Sequence, residues 1–275
     1  MTFVGVRDGA VRVIVTADDL ADAHRAIPAE DFIQPSYDVA GAPLRQLLLL
    51  LSTPRSGSTF FCDVLRRDHG LVAHEYFQHD HYLPLMAERF GVIGQDGDVD
   101  APAFVEQLIA HRTDEKGRLA INLHGSHLPL FSAWALHFPD VEIRTARLAR
   151  EDIVAQAVSF EIAQQTGQWT SHFTATTEPV YSFERVWTKL QELTAQEGVI
   201  DAFLAQSGLD ATRIVYEDFV THPEEVVAAF VGDDAAPAAP RAEPNLIARQ
   251  GHTVNDAWRA QFLQDWSVFE ANGAR

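Results

Sequence analysis

The sequence predicts an α/β protein with a mainly parallel sheet flanked by helices. The first observation is a continuous aliphatic run at residues 47–51, bounded by polar turn residues, which is typical of a strand buried on both faces. The second is that the strand candidates at 47–51, 141–149 and 213–219 are each followed by a helical segment. Strands that alternate with helices favour a parallel sheet, because each helix carries the chain back to begin the next strand.

The first 42 residues are predicted to form an N-terminal appendage of a hairpin and a helix. Asp8 and Gly9 lie between two short β-prone runs, which is a turn signal for a hairpin. Thr16 then offers a helix N-cap, with Asp19 three residues on. Residues 43–275 are assigned to the main domain, because no strong linker divides them.

The helices of the main domain have recognisable ends. Gly70 ends the helix after the first strand, and Gly167 ends the helix after the second. Pro223 lies in the first turn of the helix that follows the third strand, and residues 233–244 have the composition of a loop. The last helix carries three aromatic residues that are expected in the core: Trp258, Phe262 and Trp266.

The chain has a net charge of −18, one cysteine and no apolar run long enough to span a bilayer. Nucleic acid and anionic lipid bind through clustered Lys and Arg, so neither is expected as a partner. Cys62 alone cannot form an internal disulfide, and the first residues lack the features of a signal peptide. A cytoplasmic protein is therefore expected, and any anion that it binds must be held by a local site.

The stretch "STPRSGST" at residues 52–59 predicts such a site, because it joins the first strand to the first helix of the main domain. The N–H groups and the dipole of a helix start favour an anion, and Gly57 allows the backbone to approach it closely. Ser56, Ser58 and Thr59 add hydroxyl donors, and Arg55 adds a charged guanidinium. The alternative is an ordinary capped turn.

Two well-known phosphate loops do not fit this stretch. A Walker A loop needs a lysine after its last glycine, where this chain has Ser58. A tyrosine-phosphatase loop would need an arginine six residues after its cysteine, but Cys62 lies inside the predicted helix and position 68 is Asp.

Four segments in order resemble PAPS-dependent sulfotransferases of the bacterial trehalose sulfotransferase-like family, where PAPS is 3′-phosphoadenosine 5′-phosphosulfate. They are "LLLLLSTPRSGSTFFCDVL" (47–65), "GLVAHEYFQ" (70–78), "ARLAREDIVAQAVSFEIAQQTGQW" (146–169) and, more loosely, "RQGHTVNDAW" (249–258). The resemblance implies a P-loop-like sulfotransferase fold, PAPS as co-substrate and a homodimer. It also implies direct in-line transfer of a sulfuryl group without a metal.

The resemblance further implies which residues hold PAPS. Residues 55–59 would bind the 5′-phosphosulfate, and Arg150 and Ser159 the 3′-phosphate, with contacts to the nucleotide from Arg249 and Gln250. A nine-residue separation along a helix is about 13 Å, so Arg150 and Ser159 meet one phosphate only if the chain between them begins as a loop. The alternative is a surface arginine and a serine that faces a neighbouring helix.

Glu75 matches the position of the family's proposed base, which accepts the proton of the attacking hydroxyl. The alternative role of Glu75 is an exposed surface carboxylate. His74, its neighbour in the sequence, is the second candidate for the base, because a histidine has this role in many animal sulfotransferases.

One position departs from the family. The family has a lysine near the transferred group, in a strand whose counterpart here places Asn122 at that position. An asparagine offers only a neutral hydrogen bond to the leaving oxygen. Either Arg55 stabilises this charge alone, or His124 or His127 contributes, or the chain is slow or does not catalyse. The alternative is that the match to the family is out of register at this strand.

The histidines are expected to line the pocket of a small-molecule acceptor. His124 and His127 are assigned to acceptor binding together with Trp169, for which a place in the core is the alternative. No metal site is predicted, because the twelve histidines show no HxxxH or HExxH spacing. The predicted function is transfer of a sulfuryl group from PAPS to a hydroxyl of a carbohydrate, glycolipid or other small molecule. The alternative is a non-catalytic regulatory protein that binds PAP, the product nucleotide.

Overall fold

A computed structural model describes residues 2–7, 9–28, 31–39, 41–170, 173–232 and 253–273. The strands are β1 (Phe3–Arg7), β2 (Ala10–Ile14), β3 (Gln46–Ser52), β4 (Arg118–His124), β5 (Glu142–Ala149) and β6 (Ala211–Val215). The helices are α1 (Ala17–Ala26), α2 (Ser58–His69), α3 (Tyr82–Phe90), α4 (Ala101–Arg112), α5 (Leu128–Trp134), α6 (Ile153–Thr166), α7 (Phe183–Ser207), α8 (Tyr216–Phe219), α9 (Pro223–Val231) and α10 (Thr253–Gly273).

The main sheet is four-stranded and parallel, in the order β4-β3-β5-β6. β3 is its central strand, and its leucines alternate between two buried clusters. Leu47, Leu49 and Leu51 pack on one face and Leu48 and Leu50 on the other, as the twofold period of a strand requires. Burial of each leucine contributes about 2 kcal/mol, so this strand holds both layers of helices to the sheet. The predicted α/β class is confirmed.

The carboxyl ends of the four parallel strands meet at one edge of the sheet. β3 ends at Ser52, β4 at His124, β5 at Ala149 and β6 at Val215. In open parallel sheets the loops at this edge form the ligand site. The segments that follow these four strands are therefore brought together by topology.

The N-terminal segment forms the predicted hairpin and helix. β1 and β2 pair antiparallel, and Thr16 and Asp19 form a capping box at the start of α1. Val13 and Val15 are buried in the same cluster as the odd-numbered leucines of β3. The boundary at residue 42 stays a prediction.

The third predicted strand is only partly correct. β6 ends at Val215, and residues 216–219 form the short helix α8 instead of continuing the strand. The reason is that Val215 pairs with Ala149, the last residue of β5, so no ladder partner lies beyond it. The predicted loop at 233–244 lies outside the described residues.

The C-terminal helix packs where its aromatic residues predict. Trp258 and Phe262 of α10 are buried against α6 and α7, and Trp266 is partly buried in the same cluster. Among the described residues, no helix combines the length and apolar character needed to cross a membrane.

Candidate active site

The loop between β3 and α2 has a conformation that its sequence only partly explains. Gly57 has a φ of 94°, and a Cβ atom built on it would lie 2.5 Å from the ring of Tyr216. Arg55 has a φ of 64°, which costs a non-glycine residue about 1–2 kcal/mol. The strain at Arg55 persists because contacts of its side chain fix it, and such strain is typical of functional loops.

Those contacts join Arg55 to the helix that follows β5. Its Nε donates to Ser159 Oγ at 3.0 Å, and a guanidinium N–H donates to the carbonyl of Trp169. Burial and the nearby charge of Arg150 lower the pKa of Arg55 to about 10, so it remains a cation at neutral pH. Arg150 in turn donates to the carbonyl of Arg55 at 3.4 Å. We call Arg55, Arg150 and Ser159 the donor cluster.

The connection between β5 and α6 explains how Arg150 and Ser159 meet. Arg150 follows the last residue of β5, and α6 begins only at Ile153 after Asp152 caps it. The chain between the two residues is thus a loop followed by fewer than two helical turns. Both residues contact Arg55, because Ser159 accepts from its Nε and Arg150 donates to its carbonyl.

Arg150 is held by Tyr216 and Glu217, two residues for which the sequence predicted no role in the site. Its guanidinium lies 4.7 Å from the ring centre of Tyr216, and its Nε lies 3.9 Å from a carboxylate oxygen of Glu217. Glu217 also accepts from the backbone N–H groups of Glu151 (3.1 Å) and Asp152 (3.5 Å). The sequence feature that could have identified Tyr216 and Glu217 is the position of "YEDF" (216–219) directly after a parallel strand.

Two polar atoms of this region have no hydrogen-bond partner among the described residues. They are Ser56 Oγ and Arg150 Nε, and both are buried. Buried polar atoms are rarely left unpaired in proteins. Arg150 lines the cavity of the site and Ser56 does not, so a bound oxyanion would satisfy Arg150, and the residues present fit a phosphate group.

The loop is anchored from beneath by neutral and charged side chains. Gln156 donates to Thr53 Oγ1 at 2.9 Å and to the carbonyl of Pro54 at 2.7 Å. Thr53 contacts Glu197, which also pairs with Arg147. These contacts fix the backbone of the loop without occupying its anion-facing side chains.

Glu75 forms a second group with two histidines from the end of β4, which we call the Glu75 cluster. Its Oε2 lies 3.4 Å from His124 Nδ1 and 3.8 Å from His127 Nε2, and the two imidazole rings stack at 4.9 Å. The backbone N–H of Asn122 donates to the carbonyl of His74, which ties the Glu75 segment to β4. Glu75 is therefore not an isolated surface carboxylate.

The hydrogen bond between the two histidines fixes the proton of one ring. The backbone N–H of His124 donates to His127 Nδ1 at 3.1 Å, so a neutral His127 must carry its proton on Nε2. Burial lowers the pKa of His124 and lowers that of His127 well below its ordinary value, so both rings are neutral at pH 7. The Nε2–H of His127 lies 3.8 Å from Glu75 Oε2, which is beyond hydrogen-bond distance, so the contact is electrostatic.

The composition of this cluster also matches a metal site, since the three ligand atoms lie within 4.8 Å of one another. A histidine that binds a metal normally donates from its other nitrogen to an acceptor. His127 does the reverse, because its Nδ1 accepts a hydrogen bond and its Nε2 must keep the proton. In this tautomer His127 cannot ligate a cation jointly with Glu75.

Asn122 lies in the same cavity as the Glu75 cluster, and its Oδ1 accepts from Ser52 Oγ at 2.8 Å. His74 Nε2 lies 3.1 Å from Asp31 Oδ1, and its ring contacts Tyr82 at 4.2 Å. Trp169 packs against Phe160, and its carbonyl accepts from Arg55.

One cavity of about 920 Å³ brings most predicted site residues together. Its lining includes Arg55, Gly57, Ser58, Thr59, His74, Glu75, Asn122, His124, His127, Arg150, Ser159 and Trp169. Ser56 lies in the loop but does not line the cavity, and Arg249 and Gln250 lie outside the described residues.

Two solved structures resemble the chain at low sequence identity. The sulfotransferase domain of the Synechococcus PCC 7002 olefin synthase is 17% identical, with a TM-score of 0.43 over 80% of this chain and 88% of that one. Mouse sulfotransferase SULT7A1 complexed with PAP is 13% identical, with a TM-score of 0.39 over 84% of this chain and 70% of that one. No curated protein matches.

The sequence profile of the Stf0 sulphotransferase family matches residues 48–265. This match confirms the relationship that the four motif segments predict. Because it covers most of the chain, the protein belongs to the Stf0 sulphotransferase family and is a PAPS-dependent sulfotransferase.

Proposed function

We propose that this enzyme transfers a sulfuryl group from PAPS directly to a hydroxyl of a carbohydrate, glycolipid or other small molecule, with Glu75 as the base. The observation that carries the proposal is that the donor cluster and the Glu75 cluster line one cavity. Anion-binding groups and a carboxylate base within one space are what a sulfuryl donor and a hydroxyl acceptor require.

PAPS would be held by the loop and the donor cluster. The start of α2 and the side chains of Arg55, Ser56, Ser58 and Thr59 are assigned to the 5′-phosphosulfate. Arg150 and Ser159 are assigned to the 3′-phosphate. The unpaired Arg150 Nε supports the assignment of Arg150, because its neighbour Glu217 lies 3.9 Å away, beyond hydrogen-bond distance.

The reaction moves one proton and exchanges one bond at sulfur. The acceptor oxygen bonds to sulfur as the bond from sulfur to the phosphate oxygen breaks, and the hydroxyl proton passes to Glu75. Arg55 supplies a positive charge for the leaving phosphate oxygen. The neutral His127 places its Nε2–H 3.8 Å from the carboxylate, and no step requires a metal ion.

Binding of PAP tests the donor site. The Arg150→Ala variant is expected to lose at least about tenfold in PAP affinity by calorimetry, because charged hydrogen bonds are lost. Arg185→Ala, an exposed arginine at the start of α7, is the matched control and should bind as the wild type does. If the folded wild type failed to bind PAP, the proposed function would be wrong.

Transfer of labelled sulfate from PAPS to a panel of hydroxyl compounds tests the base. Glu75→Gln should keep PAP affinity and lose about a hundredfold or more in rate, because general base catalysis has that magnitude. A variant that kept its rate would remove Glu75 from this role and leave His74 as the candidate.

Asn122 at the position of the family lysine favours a second function, a non-catalytic protein that binds PAP. The side chain is neutral, nearly fully buried and bonded to Ser52. Asn122→Lys separates the two functions. If the wild type transfers sulfate, the non-catalytic function is wrong; if only the variant does so, the natural protein binds without catalysing.

A homodimer and a cytoplasmic location stay predictions.

A further inference from the structure

The family match begins at residue 48, yet residues before it line the same cavity. They are Ala26 and Ile27, at the end of α1, and Asp31 and Phe32. A part of the chain outside the matched region therefore shapes the space that contains Glu75.

Asp31 is joined to this space through His74. The side chain of Asp31 is 13% exposed and that of His74 is 10% exposed, and His74 Nε2 lies 3.1 Å from Asp31 Oδ1. His74 Nδ1 is buried and has no hydrogen-bond partner among the described residues, so a polar group of a ligand would complete the site.

Tyr82 links the Asp31–His74 pair to Glu75. Its ring contacts His74 edge-on at 4.2 Å. Burial raises the pKa of Tyr82 well above its ordinary value, and the charges of Asp31 and Glu75 add to this. Both carboxylates therefore act on the same phenol, which stays protonated as a hydroxyl.

The charges of the lining are divided unequally. The carboxylates are Asp31, Glu75 and Asp80, whereas the described lining residues with a Lys or Arg side chain are Arg55 and Arg150. Both arginines belong to the donor cluster, where the anionic nucleotide is assigned. The acceptor part thus offers carboxylates, imidazoles and aromatic rings, which disfavour an anion and attract a cation.

We propose that Asp31, Phe32, His74 and Tyr82 form an acceptor-selecting wall that favours hydroxyl compounds carrying an amine. Uncharged compounds rank second, and those carrying a carboxylate rank last. This inference rests on the proposed transfer reaction and extends it to the acceptor. The family match includes His74 and Tyr82 but does not reach Asp31 and Phe32, so the N-terminal segment supplies half of this wall.

The test compares three acceptors of the same size: the methyl glycosides of glucosamine, glucose and glucuronic acid. Sulfated products are quantified by mass spectrometry with PAPS as donor. The wild type should favour the amine over the carboxylate by at least about tenfold, because a carboxylate a few ångströms from a charged group has that effect. In Asp31→Asn this ratio should fall severalfold, while PAP affinity is unchanged.

The asparagine keeps an Oδ1 that can accept from the backbone N–H of Ile33, so the local turn is retained. Asp18→Asn, an exposed carboxylate in the same segment, is the matched control and should keep the wild-type ratio. Melting curves confirm that each variant is folded.

Equal or better use of the carboxylate compound by the wild type would overturn the proposal. So would an unchanged ratio in folded Asp31→Asn, or no product from the amine and uncharged compounds by a protein that binds PAP. Failure to bind PAP is a separate result, because it would refute the donor site rather than the acceptor-selecting wall.

Discussion

Replacing His127 by asparagine and by glutamine separates the two contacts of its ring. Nδ1 accepts from the backbone N–H of His124 at 3.1 Å, and Nε2 lies 3.8 Å from Glu75. Asparagine carries its amide close to the position of Nδ1 and cannot reach Glu75. Glutamine places an amide N–H near the position of Nε2 but leaves the backbone N–H without an acceptor. The two variants therefore each keep one contact.

The expected magnitudes follow from these contacts. The contact of His127 Nε2 with Glu75 is 3.8 Å long, which exceeds hydrogen-bond distance, so it should contribute at most about 1 kcal/mol. The Asn variant should thus lose up to about fivefold in kcat/KM and keep its stability. The Gln variant should stay within about twofold of wild-type kcat/KM but lose about 1–3 kcal/mol in free energy of unfolding, because a buried N–H loses its acceptor.

The assays are sulfuryl transfer, urea unfolding and PAP calorimetry on the same preparations. PAP affinity should be unchanged in both variants, since neither contact involves the donor cluster. If His127 were purely structural, activity would follow stability and the Gln variant would be the worse enzyme. That order of the two variants would refute a role for His127 in positioning Glu75.

Three further outcomes are expected. Gly57→Ala should lose more stability and PAP affinity than Gly208→Ala. Both glycines have positive φ, but only at Gly57 would the new Cβ atom lie within 4 Å of another side chain, that of Tyr216. Equal losses of stability in urea unfolding would argue against this clash. Tyr216→Phe should keep PAP affinity, whereas Tyr216→Leu should lose roughly fivefold in PAP affinity, because a cation–π contact with Arg150 contributes about 1 kcal/mol. Calorimetric titration with PAP measures both affinities. Burial lowers the pKa of both histidines in the Glu75 cluster, so the unfolded chain binds more protons than the folded one just below pH 6.5. Their contribution to stability should be complete above that pH and decline as the pH falls, by at most about 1.4 kcal/mol per pH unit and histidine. His127→Asn should flatten this decline in melting experiments.

The residues of the donor site were predictable from the sequence because their chemistry is local. A buried strand, a glycine and several hydroxyls in one stretch indicate an anion loop whatever surrounds it. Arg150 was identified through its motif, and the loop before α6 accounts for its meeting with Ser159.

The contacts of Tyr216 and Asp31 were not predictable, because they join parts of the chain that are distant in sequence. Tyr216 reaches Arg150 through the order of the strands, in which β6 lies beside β5. Asp31 reaches His74 through the packing of the N-terminal segment. The helices α3, α4, α5 and α7 were not identified, nor was the hydrogen bond that sets the proton of His127. All of these depend on tertiary packing rather than on local pattern.

The local costs of the donor site have a common explanation. Arg55 adopts a left-handed conformation, two arginines lie side by side in a chain of net charge −18, and buried polar atoms lack partners. Each feature is unfavourable for the protein alone, and a bound polyanion offsets two of them by neutralising the arginines and bonding to the unpaired atoms. Glu217 already neutralises one side of Arg150, so the pair is tolerable without ligand. A site that conflicts with its own local preferences is expected where function is selected over stability. The proposed donor site would therefore allow a chain of net charge −18 to bind an anionic nucleotide through local positive charge.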